Sequence, residues 1–531
     1  MNHEPSEART AVRMRCQLAA VGRGRWRALL TGPLCLALLM LTLTQQAQAG
    51  NWWLGNIHII DGTGKAAFRG AIEVEGDRIL TVRAGEAPAH ARDGGGLLLA
   101  PGFIDTHSHV DMDLADQPLA EAAVSQGITT VVVGQDGSSN MPLQDWFERW
   151  ERQPAAINLA SYAGHNTLRE RTMGSDSKRP ATEPELLAME ELLHADMKAG
   201  ALGLATGLEY EPGLHASFAE VLRLAQLTAS QGGRYISHLR SEDRWFPEAV
   251  EEIIRIGQQT GMPVQISHIK LAMKSAWGTA PTLLARLDQA RAEGVEISAD
   301  LYPYRYWQSN MMVLVPSRDL TAREEFRFAL QEISPPDGFW LTHYAPEPSY
   351  VGMTLTQIAD QRGASTLDTF MALAAASVAW ESRTGAPGDS MIGTSMTQED
   401  IDALLQWPHT NVCTDGALRD LHPRARGSFP RILGRYVRER GLLALPVAIH
   451  KMTGLSARHM GFRERGLIRA GMKADFILFD PDTVMDHATP DNSQALSTGI
   501  EQVWVNGASV WQAGASTGHR PGQVIRRSDG L

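Results

Sequence analysis

Two histidines, His107 and His109, stand one residue apart at the end of the apolar stretch PGFIDTHSH. If this stretch is a β-strand, side chains two positions apart point to the same side, so both imidazoles face one point. A pair of imidazoles held in this way is a common part of a metal site. The His-x-His pattern alone is also common on protein surfaces, but its place directly after an apolar strand favours metal binding.

Similar polar residues end a series of later apolar segments at a regular interval. From His109 onward these ends are separated by 27, 29, 41, 32, 30 and 32 residues. The residues at these ends are Asp136, His165, Thr206, His238, His268 and Asp300. One strand and one helix of a (β/α)₈ barrel take roughly 30 residues, and the functional groups of that fold lie at the C-terminal ends of its strands. The spacing therefore predicts a barrel with a ring of polar groups at its mouth.

Three of these strand ends carry the strongest chemical signals. His238 and His268 end the fifth and sixth predicted strands, in RYISH and VQISH, and bring the number of converging imidazoles to four. Asp415 ends the eighth strand, in NVCTD. Because strand eight of a barrel lies beside strand one, we expect Asp415 to contact the metal held by the His-x-His pair. Its predicted role is to take a proton from water and later give it to a leaving nitrogen.

Two other strand ends allow more than one interpretation. Asp136 ends the second strand, in VVVGQDG, where an Asp is either part of an Asp-Gly turn or a further metal ligand. We favour the ligand. His165 ends the third strand, in YAGH. A role in orienting the substrate or a ligand and a purely structural role both stay open for this histidine.

The elements that must position these residues alternate as an α/β barrel requires. Strands rich in Val, Ile and Thr are separated by helical segments, several of which end in Gly. We predict a (β/α)₈ TIM-like barrel over residues 105–455. Residues 50–104 and 456–531 contain short strands and turns, and we expect both to form one small β-sandwich domain. The long interval before Asp415 predicts an insertion of about residues 302–405 between strands 7 and 8, which we interpret as a lid or specificity element.

The first 49 residues have the pattern of a cleavable signal peptide. Six Arg precede the apolar run from Leu34 to Leu43, and the small-residue box Ala47-Gln48-Ala49 follows it. The competing interpretation is a membrane anchor, but ten apolar residues are too short to span about 30 Å of hydrocarbon. We therefore expect a periplasmic or secreted protein that begins at Gly50 and does not stay inserted in the membrane.

Charge and cysteine content restrict the class of partner. Removal of residues 1–49 takes away six Arg and two Glu, which changes the net charge from −11 to about −15. A chain this acidic is not expected to bind nucleic acid. Cys413 is the one cysteine of the expected mature chain, so no intrachain disulfide is possible. These features favour a small-molecule substrate.

Longer motifs accompany the candidate ligands. They include GITTVVVG, AGHNTLR, ISHIK, TDG and HPRARGSFPRILGRY. With the His-x-His pair, they resemble the motifs of the amidohydrolase superfamily and, more narrowly, those of the D-aminoacylases, which are N-acyl-D-amino-acid deacylases. The resemblance covers roughly residues 50–531. It implies a zinc-dependent hydrolase of amide bonds with one or two divalent metal ions per chain.

The resemblance also implies how the metal ligands are divided. In the family a Cys at the end of strand two and two His hold a tight zinc, and other residues form a weaker site. The corresponding residues here are His238 and His268 at the tight site, and His107, His109 and Asp415 at the weaker site. The family's Asn-Cys-Gly is replaced by Gln135-Asp136-Gly137. We expect this harder carboxylate ligand either to bridge two metals or to relax the selectivity among divalent ions.

The same resemblance implies a binding site for the α-carboxylate of the substrate. Its residues are Lys270, Tyr210, Arg424, Tyr302 and Ser309, with His165 as a further candidate. Lys and Arg that converge on a carboxylate form charge-assisted hydrogen bonds with it. The alternative for such cations is an ordinary exposed position on the protein surface.

The prediction is thus a metal-dependent enzyme that hydrolyses N-acyl-D-amino acids to a carboxylic acid and a D-amino acid. One alternative is a related amidohydrolase that acts on dipeptides or on cyclic amides, as dihydroorotases do. Those enzymes commonly use a carboxylated Lys at a strand end, and the nearest candidate, Lys198, falls on a predicted helix. A non-enzymatic binding or scaffold barrel is the other alternative, and the complete ligand set disfavours it.

Overall fold

The computed structural model describes residues 51–527; the predicted signal peptide lies outside them. Within the described part, eight parallel strands form the barrel. In chain order, barrel strands 1 to 8 are Phe103–Asp105, Ile128–Val133, Asn158–Ser161, Gly203–Gly207, Arg234–His238, Val264–Ile266, Ile297–Leu301 and Thr410–Val412. Strands 1 to 3 pair in order, and strands 4 to 8 pair in order. The predicted (β/α)₈ architecture is confirmed.

Two backbone hydrogen bonds join the last barrel strand to the first. The amide of Asp415 donates to the carbonyl of His107 (2.9 Å), and the amide of His109 donates to the carbonyl of Gly416 (3.0 Å). On the opposite side, the two-residue strand Ala163–Gly164 continues strand 3 and pairs with strand 4. These contacts bring the ends of strands 8 and 1 to one place at the barrel mouth.

The barrel strands form because their residues suit burial on both faces. Strand 2, with the sequence ITTVVV, is entirely buried and mostly β-branched. Two of the helices between the strands end at glycines in the left-handed region. Gly200 (φ 112°) ends the helix Glu183–Ala199, and Gly261 (φ 67°) ends the helix Phe246–Thr260. Thr182 and Glu185 begin the first of these helices with a capping box.

Other helices surround the barrel or follow its last strand. Those between strands 1 and 7 are Glu121–Val124, Leu143–Arg152, His165–Met173, Glu183–Ala199, Phe218–Ser230, Phe246–Thr260 and Ala280–Ala292. Those after strand 8 are Arg424–Arg431, Leu445–Met452 and Gly454–Met460, with a π-helix at Ile432–Glu439. No helix within residues 51–527 is long and apolar enough to cross a bilayer.

The insertion between strands 7 and 8 has a sheet of its own. Its antiparallel strands Tyr306–Ser309, Phe339–Tyr344 and Asp389–Thr394 are ordered with the last one in the centre. The helices of the insertion are Arg323–Phe328, Leu355–Arg362, Thr366–Thr384 and Gln398–Gln406, with a π-helix at Ala329–Ile333. The insertion begins directly after barrel strand 7, so its first residues lie at the barrel mouth.

Strands from both ends of the described chain meet in a single nine-stranded sheet. Its strands are Trp52–Ile59, Phe68–Glu75, Arg78–Ala84, Arg92–Asp93, Leu98–Pro101, Phe476–Phe479, Ile500–Val505, Ala508–Gln512 and Ala515–Ser516. Leu98–Pro101 pairs antiparallel with Phe476–Phe479, which joins the two halves. Strands from both ends of the described chain are thus hydrogen-bonded into one sheet.

The last described residues do not belong to this sheet, although we expected residues 456–531 to lie in the β-domain. The amide of Leu159 in strand 3 donates to Gln523, and the amide of Ile525 donates back to Leu159. The amide of Arg527 donates to Gly200, just before strand 4. Residues 522–527, which we call the C-terminal segment, therefore lie between strands 3 and 4. Ile525 packs there with buried residues from strands 1 to 5.

Candidate metal centre

Four imidazoles and two carboxylates lie together at the barrel mouth. They are His107 and His109 after strand 1, Asp136 after strand 2, His238 at the end of strand 5, His268 after strand 6 and Asp415 after strand 8. All are buried except His109 and Asp136, which are partly exposed. All six residues that the sequence predicts as metal ligands therefore lie together at the barrel mouth.

These six residues form two groups of potential ligands that share Asp136. The first group is His107, His109, Asp136 and Asp415, and the second is Asp136, His238 and His268. Oδ1 of Asp136 is 3.4 Å from Nε2 of His107 and 3.4 Å from Nε2 of His268. Its Oδ2 is 3.3 Å from Nε2 of His109. The carboxylate of Asp136 thus lies between the two groups, as a bridging ligand would.

Three of the ligands are held in an unfavourable backbone conformation. Asp136 (φ 52°), His268 (φ 34°) and Asp415 (φ 49°) lie in the left-handed region, and each follows a buried strand by two or three residues. This conformation costs a residue other than Gly roughly 1–2 kcal/mol. Strain of this kind is concentrated at functional sites, where the surrounding structure maintains it. It therefore supports a functional role for all three residues.

The polar atoms of the site fit a bound metal. Among residues 51–527, both ring nitrogens of His107 and Oδ1 of Asp136 are buried and make no hydrogen bond. Buried polar atoms normally have a partner, because burial without one is costly. Imidazole nitrogen and carboxylate oxygen are suitable ligands for Zn²⁺ and related divalent ions. A divalent cation at this position would provide the missing partner.

Each of the three buried histidines has a further carboxylate behind it. Oε2 of Glu209 is 3.0 Å from Nε2 of His238, and Oε1 of Glu242 is 3.0 Å from Nδ1 of His268. Asp300 lies 3.8 Å from Nδ1 of His107 and accepts a hydrogen bond from the amide of His268. Such carboxylates fix the orientation of a ligating imidazole and make it a better donor to the metal.

The sequence analysis did not assign these three carboxylates. Asp300 had a usable signal, since it stands at a strand end with the barrel spacing. Glu209 and Glu242 lie in the loops that follow strands 4 and 5, in the motifs GLEY and SHLRSED. Neither stands at a strand end with the regular barrel spacing. Only their closeness in sequence to Tyr210 and His238 pointed to the site.

The charges of the site stabilise one another. Burial acts to raise the pKa of Asp136, but His107 and His268 hold it well below its usual value. Burial acts in the same way on Asp415, whose pKa is lowered mainly by Arg424. In turn, the carboxylates outweigh burial and raise the pKa of His268 to about 10. A metal ion would replace protons on these imidazoles, so metal affinity should fall as the pH is lowered.

Comparison with known proteins agrees with this geometry. Residues 91–408 and 354–511 match the model of the Amidohydrolase family. The chain belongs to this family. It is 36% identical to N-acyl-D-glutamate deacylase of Alcaligenes xylosoxydans xylosoxydans over 495 residues, which covers 88% of this chain and 95% of that protein. The expected resemblance to the D-aminoacylase branch of the amidohydrolases is confirmed.

Solved structures of related amidohydrolases resemble this chain over most of its length. The crystal structure of N-acyl-D-glutamate deacylase from Bordetella bronchiseptica, complexed with zinc and a phosphonate mimic of the tetrahedral intermediate, is 36% identical with a TM-score of 0.79. A structure of D-aminoacylase described for its binuclear metal centre is 33% identical with a TM-score of 0.79. Each comparison covers 90% of this chain and 99% of the other.

Five predicted substrate-binding residues of this amidohydrolase line a pocket beside the ligands. They are Lys270, Tyr210, Arg424, Tyr302 and Ser309. Nζ of Lys270 lies 2.7 and 2.8 Å from the two oxygens of Glu242. The guanidinium of Arg424 bonds to Asp415 and lies 4.8 Å from the centre of the Tyr302 ring. Both cations are buried, so they are not ordinary surface residues.

His165 does not reach this pocket, which corrects the prediction that it binds substrate. Strand 3 is interrupted at Tyr162, and His165 begins the next helix. Its Nε2 lies 2.9 Å from Oε1 of Glu220, which also bonds to Arg169. All three residues are buried. His165 therefore has the structural role that the sequence left open, in an ion cluster between two helices.

Proposed function

We propose that this protein hydrolyses the amide bond of N-acyl-D-amino acids in a metal-dependent reaction. The observation that carries the proposal is a buried pair of cations, Lys270 and Arg424, beside two ligand groups that share Asp136. The cations suit the α-carboxylate of an amino acid, and the ligand groups suit the metal that amide hydrolysis needs. The names of the related proteins, N-acyl-D-glutamate deacylase and D-aminoacylase, support the same reaction.

The reaction follows from the placement of the side chains. A bound Zn²⁺ or similar ion would polarise the acyl carbonyl and lower the pKa of water. Asp415, with Oδ1 3.2 Å from Nε2 of His109, accepts a proton from the attacking water. A bond forms between the water oxygen and the acyl carbon, and the carbon–nitrogen bond breaks. Asp415 gives its proton to the leaving nitrogen, which leaves a carboxylic acid and a free amino acid.

The position of Asp136 supports a site for one or two metal ions. Its two carboxylate oxygens lie between the two ligand groups, so one side chain can serve both. A carboxylated lysine is not needed for bridging, and Lys198 is exposed on the helix Glu183–Ala199. This arrangement disfavours the alternative of a cyclic-amide hydrolase that depends on a carboxylated lysine.

The proposed location of the enzyme is the periplasm or the medium. The support is the Arg-rich start, the apolar run and the Ala-x-Ala box of residues 1–49. Mass spectrometry of the protein recovered from the periplasm or the medium should give Gly50 as the first residue. A protein that stays in the cytoplasm with residues 1–49 attached would contradict this proposal.

A panel of N-acyl D- and L-amino acids tests the activity. We expect hydrolysis of D-amino acid derivatives, loss of activity after chelation, and recovery when a divalent metal is added. Elemental analysis should give one or two metal ions per chain. Less than roughly 0.2 metal per chain with activity intact after chelation would refute the proposed reaction. Preferential cleavage of the L-enantiomers would refute the assignment to D-amino acids.

A further inference from the structure

A further cavity lies at the opposite end of the barrel from the metal centre. It has a volume of about 200 Å³ and is lined by residues 462–465, by Lys473 and by residues 523–525 of the C-terminal segment. The C-terminal segment pairs with Leu159 near the start of barrel strand 3, whereas the metal ligands stand at or after the ends of the strands. This cavity is therefore separate from the site proposed for amide hydrolysis.

Positive charge predominates in the lining of this cavity. Among the described residues, its cations are Arg463, Arg465 and Lys473, and its one carboxylate is Glu464. Oε1 of Glu464 lies 3.0 Å from Nη2 of Arg78, which is not part of the lining. The whole chain, in contrast, carries a net charge of −11. A local excess of positive charge in an acidic protein attracts anions.

Arg463 supplies this excess. Its side chain is exposed and makes no hydrogen bond or ion pair within residues 51–527. A single unpaired arginine is ordinary on a protein surface. This one, however, stands at a cavity where two further cations lie, so the charge of Arg463 adds to a wall that already offers donors.

The other two cations act as hydrogen-bond donors rather than as sources of net charge, because each is already paired. Arg465 is buried; its Nη1 bonds to Asp475, and its Nη2 donates to the amide oxygen of Gln523 (3.3 Å). Nζ of Lys473 bonds to Asp77 and to the same oxygen of Gln523 (3.2 Å). A guanidinium has five N–H donors and an ammonium has three, so Arg465 and Lys473 both keep donors for a further acceptor.

We propose that this cavity binds a phosphate group, as inorganic phosphate or as a phosphate monoester, against Arg463, Arg465 and Lys473. Phosphate has several acceptor oxygens and suits donors that come from more than one direction, and arginine is especially suited to bind it. The bound group would connect residues 462–465 with Lys473 and the C-terminal segment. A ligand that binds only the folded chain raises its stability. The inference does not depend on the deacylase activity.

The test is thermal unfolding of the metal-loaded protein at constant ionic strength, with either inorganic phosphate or sodium chloride. We expect phosphate to raise the Tm of the wild type above the value in chloride, by an amount that grows with the phosphate concentration. Arg463→Gln removes the unpaired cation from an exposed position and should raise the Kd for phosphate by about 10-fold or more.

Arg469→Gln is the matched control. The side chain of Arg469 is also exposed and without a partner in the described part of the chain, but it does not line the cavity. This variant should respond to phosphate as the wild type does. Phosphate at the metal centre would raise the Tm of both variants equally, so the difference between them reports on the cavity alone.

Two results would overturn the proposal. One is a Tm that phosphate does not raise above its value in chloride, and the other is an equal response of the two variants to phosphate. Glycerol 3-phosphate distinguishes the two sources of the group in the wild type. A response as large as that to inorganic phosphate assigns the cavity to a phosphate monoester, and the absence of a response assigns it to the free anion.

Discussion

Replacement of Lys270 by Met should remove much of the preference for substrates that carry a free α-carboxylate. In the structure Nζ of Lys270 is buried between Glu242 and Nδ1 of His268, where the pocket beside the metal ligands begins. A hydrogen bond to a charged group contributes roughly 1.5–3 kcal/mol. At ~1.4 kcal/mol per decade, its loss corresponds to about 10-fold to over 100-fold in kcat/KM.

The diagnostic quantity is a ratio rather than a rate. Loss of Lys270 also removes the largest influence that lowers the pKa of Glu242 against the effect of burial. This disturbance affects every substrate equally. The assay therefore compares kcat/KM for an N-acetyl-D-amino acid and for its carboxamide, in the wild type and in Lys270→Met.

The expected result is a large acid-to-amide ratio in the wild type and a ratio about 10-fold to over 100-fold smaller in the variant, which keeps Arg424. Lys274→Met is the matched control, because Lys274 is exposed and lies four residues further along the chain. It should keep the wild-type ratio. If the wild type cleaves amides as well as free acids, Lys270 does not bind an α-carboxylate, and hydrolysis of cyclic amides becomes the better proposal.

Three further changes test the metal centre and the fold. Asp136→Cys should tighten the binding of a single zinc, because thiolate is the softer ligand; unchanged metal content and preference under graded chelation would exclude Asp136 as a ligand. The Asp415→Asn variant should melt at the same temperature as the wild type, and its kcat should be lower by about 10²-fold or more. A kcat equal to that of the wild type would show that Asp415 takes no part in the reaction. Asp196 accepts a hydrogen bond from the amide of Leu143, but burial dominates and raises its pKa to about 6. The folded protein therefore holds this proton more tightly than the unfolded chain, so stability is lost as the pH rises from about 4 through 6. Asp196→Asn should be more stable than the wild type at pH 7.5 by about 1–3 kcal/mol and no more stable at pH 4; an equal difference at both pH values would contradict the shift.

Much of the metal centre could be predicted from the sequence because a parallel barrel repeats. A regular strand-to-strand distance places every strand end at one mouth, so His238 and His268 could be assigned from spacing. His107 was assigned from the His-x-His pair, and Asp415 from its place at the end of the eighth strand. Glu209 and Glu242 could not be found in this way. They lie in loops, whose paths are set by tertiary contacts that no period in the sequence records.

Two features differ from what the sequence led us to expect, for related reasons. His165 stands at the correct interval, but the strand before it is interrupted and the helix begins at His165 itself, which turns the ring toward Glu220. The C-terminal segment looks like the rest of the β-domain in composition. Its position in the barrel depends on close backbone contact: a Cβ on Gly522 would lie 2.0 Å from the carbonyl oxygen of Ile157. Neither effect can be recognised from the local pattern of residue types in the sequence.

The use of both chain ends in this fold has a consequence for the order of folding. Leu98–Pro101 needs Phe476–Phe479 as its partner, and barrel strands 3 and 4 need residues 522–527 between them. More than 370 residues separate the first pair. At a synthesis rate of about 5–20 residues per second, roughly 20–75 s pass between the synthesis of the early strands and that of their partners. During that time they present unpaired edges, so the nascent chain depends on protection from aggregation until its last residues have been made.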